Sequence, residues 1–125
     1  MQKAARPTIL LLDDFPDSSE AVATWLAIEG WRPLMTSTVE EALAILAQEQ
    51  IDALVMEPHL RSGSAMEVAE AARKSPFGCP LLVAMTTVGR TGDDTAYEPT
   101  LFDFSLVKPT AMELLSQVLA VRRRR

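Results

Sequence analysis

The chain has 125 residues, of which 48% are hydrophobic and 23% are charged. This length and composition are typical of one folded domain and exclude a disordered or fibrous chain. One cysteine excludes a disulfide framework, and no apolar run approaches the ~18 residues of a membrane span, so we expect a cytoplasmic protein without a membrane partner.

Charge is distributed unevenly along the sequence. The chain has 12 Lys and Arg against 17 Asp and Glu, which gives a net charge of −5. Four of the cations are Arg122–Arg125, so the remainder carries 8 against 17, or −9. Because an acidic body repels a phosphate backbone, we expect no nucleic-acid partner. The arginine tail is interpreted as a solubilising helix end whose cations complement the helix dipole.

Short apolar runs alternate with amphipathic stretches from the N-terminus onward. Strands are predicted at residues 8–12, 31–35, 51–56, 81–85 and 102–107. Helices are predicted between them, from Asp17 as N-cap to a stop at Gly30, from Ser37 or Thr38, over 64–74, around 93–98, and from Thr110 onward. Strands that are apolar at every position are typical of a sheet buried on both faces.

This alternation of strand and helix predicts the fold class. Apolar strands joined by helices indicate a parallel sheet covered on both faces. Right-handed crossovers then give an α/β fold, a (βα)5 doubly wound five-stranded sheet in a three-layer α/β/α sandwich. We predict one domain over residues 1–125, with a core of about 8–121 and a basic end at 122–125.

Polar residues follow the predicted strands at one edge of the sheet. They are Asp13 and Asp14 after the first strand, Glu57 and His59 after the third, Thr86 and Thr87 after the fourth, and Lys108 after the fifth. Ligands of such sheets bind beyond the carboxyl ends of the strands, where the strand order switches. Clustered carboxylates are best satisfied by a hard cation such as Mg²⁺, while threonine and lysine suit phosphoryl oxygens.

Together these residues make the sequence resemble the receiver domain of two-component response regulators, over about residues 8–121. The matching features are an acidic pair after strand one, an acid after strand three, a threonine after strand four and Lys-Pro after strand five. Their spacing is similar to that of single-domain chemotaxis regulators. The resemblance implies a stand-alone module of a phosphorelay, with a histidine kinase or phosphotransfer protein as partner.

The resemblance implies a metal site in which one residue departs from the family. Asp13 and Asp14 match the pair that holds Mg²⁺, together with the phospho-acceptor position and the backbone carbonyl of His59. The acceptor position is Glu57, where the family has aspartate, so its carboxylate reaches about 1.5 Å further. A shift near ~1 Å can cost ~10²-fold in transfer, so we expect weak, vestigial Mg²⁺ binding and doubtful phosphorylation.

The phosphoryl-contact positions also combine matches and departures. Thr86 and Lys108 match the family's hydroxyl and ammonium groups. Thr87 follows where the family has a small residue, which narrows access to the acceptor. Ser105 stands at the switch position, where the family usually has an aromatic residue or histidine. Conventional phospho-switching is therefore in doubt at the access route and at the readout as well.

Three functions remain open on these observations. The leading interpretation is an atypical receiver that is not an enzyme and acts through protein–protein interaction as a monomer or weak homodimer. The alternative is a Mg²⁺-dependent regulator that is still phosphorylatable. A remote alternative is an enzyme of flavodoxin-like fold, against which the acidic loop after strand one and the lack of a Gly-rich phosphate loop both argue.

Overall fold

The computed structural model of the chain describes residues 6–14, 16–60, 64–87, 99–108 and 112–123. The side chains of 16–18, 87, 99, 108, 122 and 123 are not part of that description. The elements are β1 (Thr8–Leu12), α1 (Pro16–Ile28), β2 (Arg32–Thr36), α2 (Val39–Gln48), β3 (Ala53–Met56), α3 (Ala65–Arg73), β4 (Leu81–Thr87), a 3₁₀ turn (Pro99–Leu101), β5 (Phe104–Lys108) and α4 (Met112–Arg123). The predicted helix around 93–98 and the predicted cap Thr110 lie outside the described residues.

The strands form one parallel sheet in the order β2-β1-β3-β4-β5. The chain runs from β1 to β2 on one side and then places β3 on the other side of β1. The strand order therefore switches between β1 and β3, which is where sheets of this kind bind ligands. This topology confirms the predicted doubly wound five-stranded α/β sheet.

Both faces of the sheet are covered by helices, and β1 shows why its sequence has no polar alternation. Leu10 and Leu12 lie in the core cluster beneath α2 and α3. Ile9 and Leu11 point the opposite way, into the cluster beneath α1 and α4. Each such side chain contributes about 1.5–3 kcal/mol when it is fully buried. A strand with two buried faces gains from an apolar residue at every position.

The start of α1 differs from the prediction. The helix begins at Pro16, so Asp17 lies in its first turn and the prediction that Asp17 is the N-cap is wrong. Proline is well suited to the first helical position, because the N–H that it lacks has no partner within the helix there. Asp17 is a residue type typical of N-caps, so the preference of Asp for the cap competes in this sequence with the preference of Pro for the first helical position.

The end of α1 confirms the predicted stop at Gly30. Gly30 has a φ of 103°, a conformation that side-chain-bearing residues rarely adopt. Its N–H donates to the carbonyl of Ala27 at 3.1 Å, and the N–H of Trp31 donates to the carbonyl of Leu26 at 3.0 Å. This pair of bonds is a Schellman motif, which satisfies carbonyls at the helix end.

Strand boundaries at the carboxyl edge lie further along the chain than predicted. β4 continues through Thr86 and Thr87, and β5 continues through Lys108. These residues therefore belong to the paired parts of their strands, with Thr87 opposite Lys108 in the register.

None of the described helices has the length and apolar character that crossing a membrane requires.

Candidate functional site

An acidic corner lies at the switch point of the sheet, where β1 and β3 end side by side. The N–H of Glu57 donates to the carbonyl of Leu12 at 3.0 Å, so its backbone continues the pairing of the two strands. Asp13 occupies the equivalent position after β1. Asp13 is 7% exposed and Glu57 is 4% exposed, while Asp14 is half-buried. The structure thus brings the predicted acidic residues of both strands to one edge.

Glu57 has a close partner two residues further along the chain. The backbone N–H of His59 donates to Oε1 of Glu57 at 3.0 Å. The imidazole Nδ1 of His59 also lies 3.0 Å from Oε1, and both side chains are buried. Because an ionised carboxylate only accepts hydrogen bonds, this second contact requires a hydrogen on Nδ1.

The contact with His59 explains how a carboxylate is tolerated in this corner. A buried carboxylate without hydrogen-bond partners costs several kcal/mol, and buried acids are therefore paired. His59 supplies an N–H group and a ring nitrogen to one oxygen of Glu57. The sequence analysis assigned His59 only a backbone carbonyl and missed this side-chain contact. The available signal was an acid-x-His sequence directly after a buried strand.

Thr86 is buried near the end of β4, with 3% of its surface exposed. Its hydroxyl donates to the carbonyl of Leu106 on β5 at 3.5 Å. Since a hydroxyl has one hydrogen, Thr86 does not donate to Glu57 in this arrangement.

The remaining predicted site residues lie on β5. Ser105 is exposed and stands opposite Ala84 of β4 in the register. Lys108 is the last residue of β5, and its ammonium group is outside the description. The backbone therefore places Lys108 at the correct edge of the sheet, two strands away from β3.

The sequence predicts a Mg²⁺ site whose ligands include the carboxylates of Asp13, Asp14 and Glu57. Within the described parts of the chain, no three His, Cys, Asp or Glu side chains are grouped so that they could hold a metal ion. In addition, Oε1 of Glu57 already accepts from His59. As arranged here, the residues do not fit a centre built on the three carboxylates of Asp13, Asp14 and Glu57.

Comparison with known proteins identifies one curated relative. The chain is 30% identical over 120 residues to an uncharacterized 14.6 kDa protein from the sodA1 3′ region of Leptolyngbya boryana. The match covers 94% of this chain and 92% of that protein. No family model matches the sequence.

Solved structures give many more matches. A CheY-like receiver domain from Methylobacillus flagellatus is 22% identical, with a TM-score of 0.81 over 94% of this chain and 99% of that one. A two-component response regulator from Clostridium difficile is 21% identical, with a TM-score of 0.81 over 96% and 98%. The receiver domain of a Pseudomonas aeruginosa sensor histidine kinase, which holds a magnesium ion in its active-site cleft, is 21% identical, with a TM-score of 0.79 over 98% and 100%.

These likenesses confirm the resemblance seen in the sequence at the level of fold. The chain therefore belongs to the same family as the Leptolyngbya boryana protein and has the fold of response regulator receiver domains.

Proposed function

We propose that the chain is a stand-alone, receiver-like signalling module of a two-component or phosphorelay pathway, and that it acts through protein–protein interaction without a phosphorylated state of its own. The observation that supports this proposal most is the burial of Glu57, in a chain of receiver fold, at the position that the resemblance assigns to the phospho-acceptor. The expected partner is a histidine kinase or a phosphotransfer protein.

The contacts around Glu57 support a module that does not accept phosphoryl. Its Oε1 is directed to His59, and the hydroxyl hydrogen of Thr86 is directed to Leu106. An incoming phosphoryl group would have to displace these contacts before either residue could interact with it. Glu57 is also a poor imitation of a phosphorylated aspartate, because a phosphoryl group brings about −1.5 to −2 charges and three acceptor oxygens.

Divalent metal has a reduced part in this proposal. The residues that the resemblance assigns to Mg²⁺ are Asp13, Asp14, Glu57 and the carbonyl of His59. We propose that this acidic edge attracts Mg²⁺ only weakly and without a preformed three-carboxylate centre among the described residues, because Glu57 already has hydrogen-bond donors. When bound, the cation would offset the mutual repulsion of the carboxylates.

Mass spectrometry separates this proposal from a conventional, phosphorylatable regulator. The intact chain is incubated with acetyl phosphate and Mg²⁺, and its intact mass is then measured. The expected result is an unmodified chain under conditions that phosphorylate an ordinary receiver run in parallel. A stable phosphoryl adduct on the parent chain would overturn the proposal and favour the phosphorylatable alternative.

Direct binding tests the interaction itself. A purified histidine kinase or phosphotransfer protein from the same organism is titrated with the chain by calorimetry, with and without acetyl phosphate. We expect binding without the phosphoryl donor and the same affinity with it. Binding that appears only with the donor contradicts an interaction that is independent of phosphorylation.

A further inference from the structure

We propose that His59 takes over part of the role that a metal ion would have at the acidic corner: its N–H and its imidazole hold Glu57, and they weaken the binding of divalent cations there for as long as that contact lasts. This inference rests on the proposed function, because it concerns the regulation of the same acidic corner. It assigns the His59 side chain a positioning role toward Glu57.

The geometry of the contact is the first step of the argument. Backbone N and Nδ1 of His59 each lie 3.0 Å from the same atom, Oε1 of Glu57. The side chains of His59 and Glu57 are only 8% and 4% exposed, so water competes little for these hydrogen bonds. Both of these donors come from the residue two positions on, so they belong to the loop that directly follows β3.

Competition for Oε1 is the second step. A carboxylate oxygen has about two lone pairs for hydrogen bonding or metal coordination, and Oε1 of Glu57 receives two N–H groups. A cation that takes this oxygen displaces at least one of them. A cation on the other oxygen of the carboxylate shares a group that already accepts hydrogen bonds from His59. In either case, metal binding is weakened by the energy of the His59 contact.

Two variants of His59 separate its hydrogen bond from its bulk. His59→Ala removes the imidazole and keeps the backbone N–H. His59→Asn places an amide N–H the same number of bonds from Cα as Nδ1, so it preserves a donor toward Glu57. Both full-length variants and the parent are titrated with MgCl₂ in a calorimeter.

We expect His59→Ala to bind Mg²⁺ at least about tenfold more tightly than the parent, the order of one charge-assisted hydrogen bond. His59→Asn is expected to stay within about threefold of the parent, because its donor remains. In the His59→Ala background, Glu57→Gln and Asp14→Ala are each expected to abolish the gain. Equal affinities of His59→Ala and the parent would overturn the proposal, as would equal gains in the alanine and asparagine variants.

A measurement on the parent protein keeps the proposal testable if a variant fails to fold. His59 is the one histidine of the chain, so its ring nitrogens give a single set of NMR signals. We expect a hydrogen on Nδ1 that exchanges slowly with water, and a change in the ring signals when Mg²⁺ saturates the protein. A bare Nδ1, or ring signals that Mg²⁺ leaves unchanged, contradicts the proposal.

These tests are independent of those of the proposed function. The Mg²⁺ titrations contain no partner protein, and the partner titrations do not require metal. A chain that binds its signalling partner but shows no effect of His59 refutes only the substitution of the imidazole for metal. A chain with the expected effect of His59 and no partner refutes only the proposed function.

Discussion

Glu57 and His59 form a buried contact at the acidic corner. Position 57 keeps the negative charge that an acceptor aspartate would have. Its longer side chain ends in a carboxylate that accepts hydrogen bonds from the loop after β3. The charge at the corner is thereby stabilised inside the chain. An aspartate at the same position has a shorter side chain, so its carboxylate would lie about one bond closer to the backbone.

Glu57→Asp is expected to increase phosphoryl uptake from acetyl phosphate relative to the parent. The shorter side chain withdraws the carboxylate by about one bond, toward the position from which in-line transfer is efficient. Intact mass after incubation with acetyl phosphate and Mg²⁺ measures the effect, and Glu57→Gln serves as the control without a carboxylate. If Glu57→Asp is as inert as the glutamine control, side-chain length is an insufficient explanation and access past Thr87 becomes the leading one.

The acidic corner could be predicted from sequence because it depends on strand ends alone. Apolar runs that stop at Asp13 and Glu57 fix both residues at the carboxyl edge of a parallel sheet. The contact of His59 with Glu57 depends on the path of a loop, and residue spacing does not specify that path. The hydroxyl of Thr86 depends on how far β4 and β5 remain paired, which apolar patterning locates only to within a residue or two.

Among the secondary-structure elements, α1 and α4 are joined by a short chain of hydrogen bonds. Nε1 of Trp25 on α1 donates to Oγ of Ser116 on α4 at 2.9 Å. Ser116 in turn donates to Oε1 of Glu29, which follows α1. One hydroxyl therefore acts as acceptor and donor for the same neighbouring helix. Trp25 is half-buried, and its ring nitrogen is bonded to Ser116.

Ser116→Ala is expected to lower the free energy of unfolding by about 1–3 kcal/mol. The substitution removes the hydroxyl that accepts from the indole N–H of Trp25 and donates to Glu29, and an unsatisfied, partly buried donor carries a penalty of that order. Urea unfolding followed by tryptophan fluorescence measures the change. Gln117→Ala, at an exposed position on the same helix, is the matched control and is expected to change stability by less than about 0.5 kcal/mol. Similar losses in both variants would contradict a specific role for the Ser116 hydroxyl.

Gly30→Ala is expected to destabilise the protein through the backbone at the end of α1. A side chain at a φ of 103° is strained, and left-handed backbone costs an L-residue roughly 1–2 kcal/mol. Urea unfolding is again the measurement. Ala21→Gly, within α1, serves as a comparison for helix propensity, with an expected loss of about 0.5–1 kcal/mol. A Gly30→Ala variant as stable as the parent means that the helix end can relax and that the Schellman motif is dispensable.

Elements were predicted best where one physical signal dominates. Residues 8–12 are apolar throughout and end at an aspartate, and β1 has those bounds. At the start of α1, Pro16 and Asp17 are competing signals, and the wrong one was preferred. The predicted helix around 93–98 lies outside the part of the chain that the structure describes, so it stays a prediction.

At the scale of the whole molecule, the excess of negative charge is the feature that local contacts compensate least. The described ion pairs include Arg32 with Glu49 and Arg73 with Asp103, and all four side chains are at least one-third exposed. Exposed pairs of this kind contribute about 0–1 kcal/mol each. The net charge therefore acts mainly as long-range repulsion. Arg122–Arg125 weaken this repulsion, because they reduce the net charge from −9 to −5.

Replacing Arg122–Arg125 by four glutamines is expected to lower the melting temperature at low salt and to have little effect at high salt. The substitution returns the net charge to −9. It also removes cations from the end of the α4 sequence, and cations near the C-terminal end of a helix generally stabilise its dipole. Both effects are electrostatic at the surface, and the screening length falls from about 30 Å at 0.01 M to about 3 Å at 1 M ionic strength. Thermal melts at these two salt concentrations measure the difference, and four lysines at the same positions are the matched control, expected to behave like the parent. A loss that persists at high salt means that the arginines act through packing instead of charge.

Sedimentation of the same proteins at low salt is expected to show monomers throughout. A parent that dimerises while the glutamine variant remains monomeric would instead establish an association through the arginine tail.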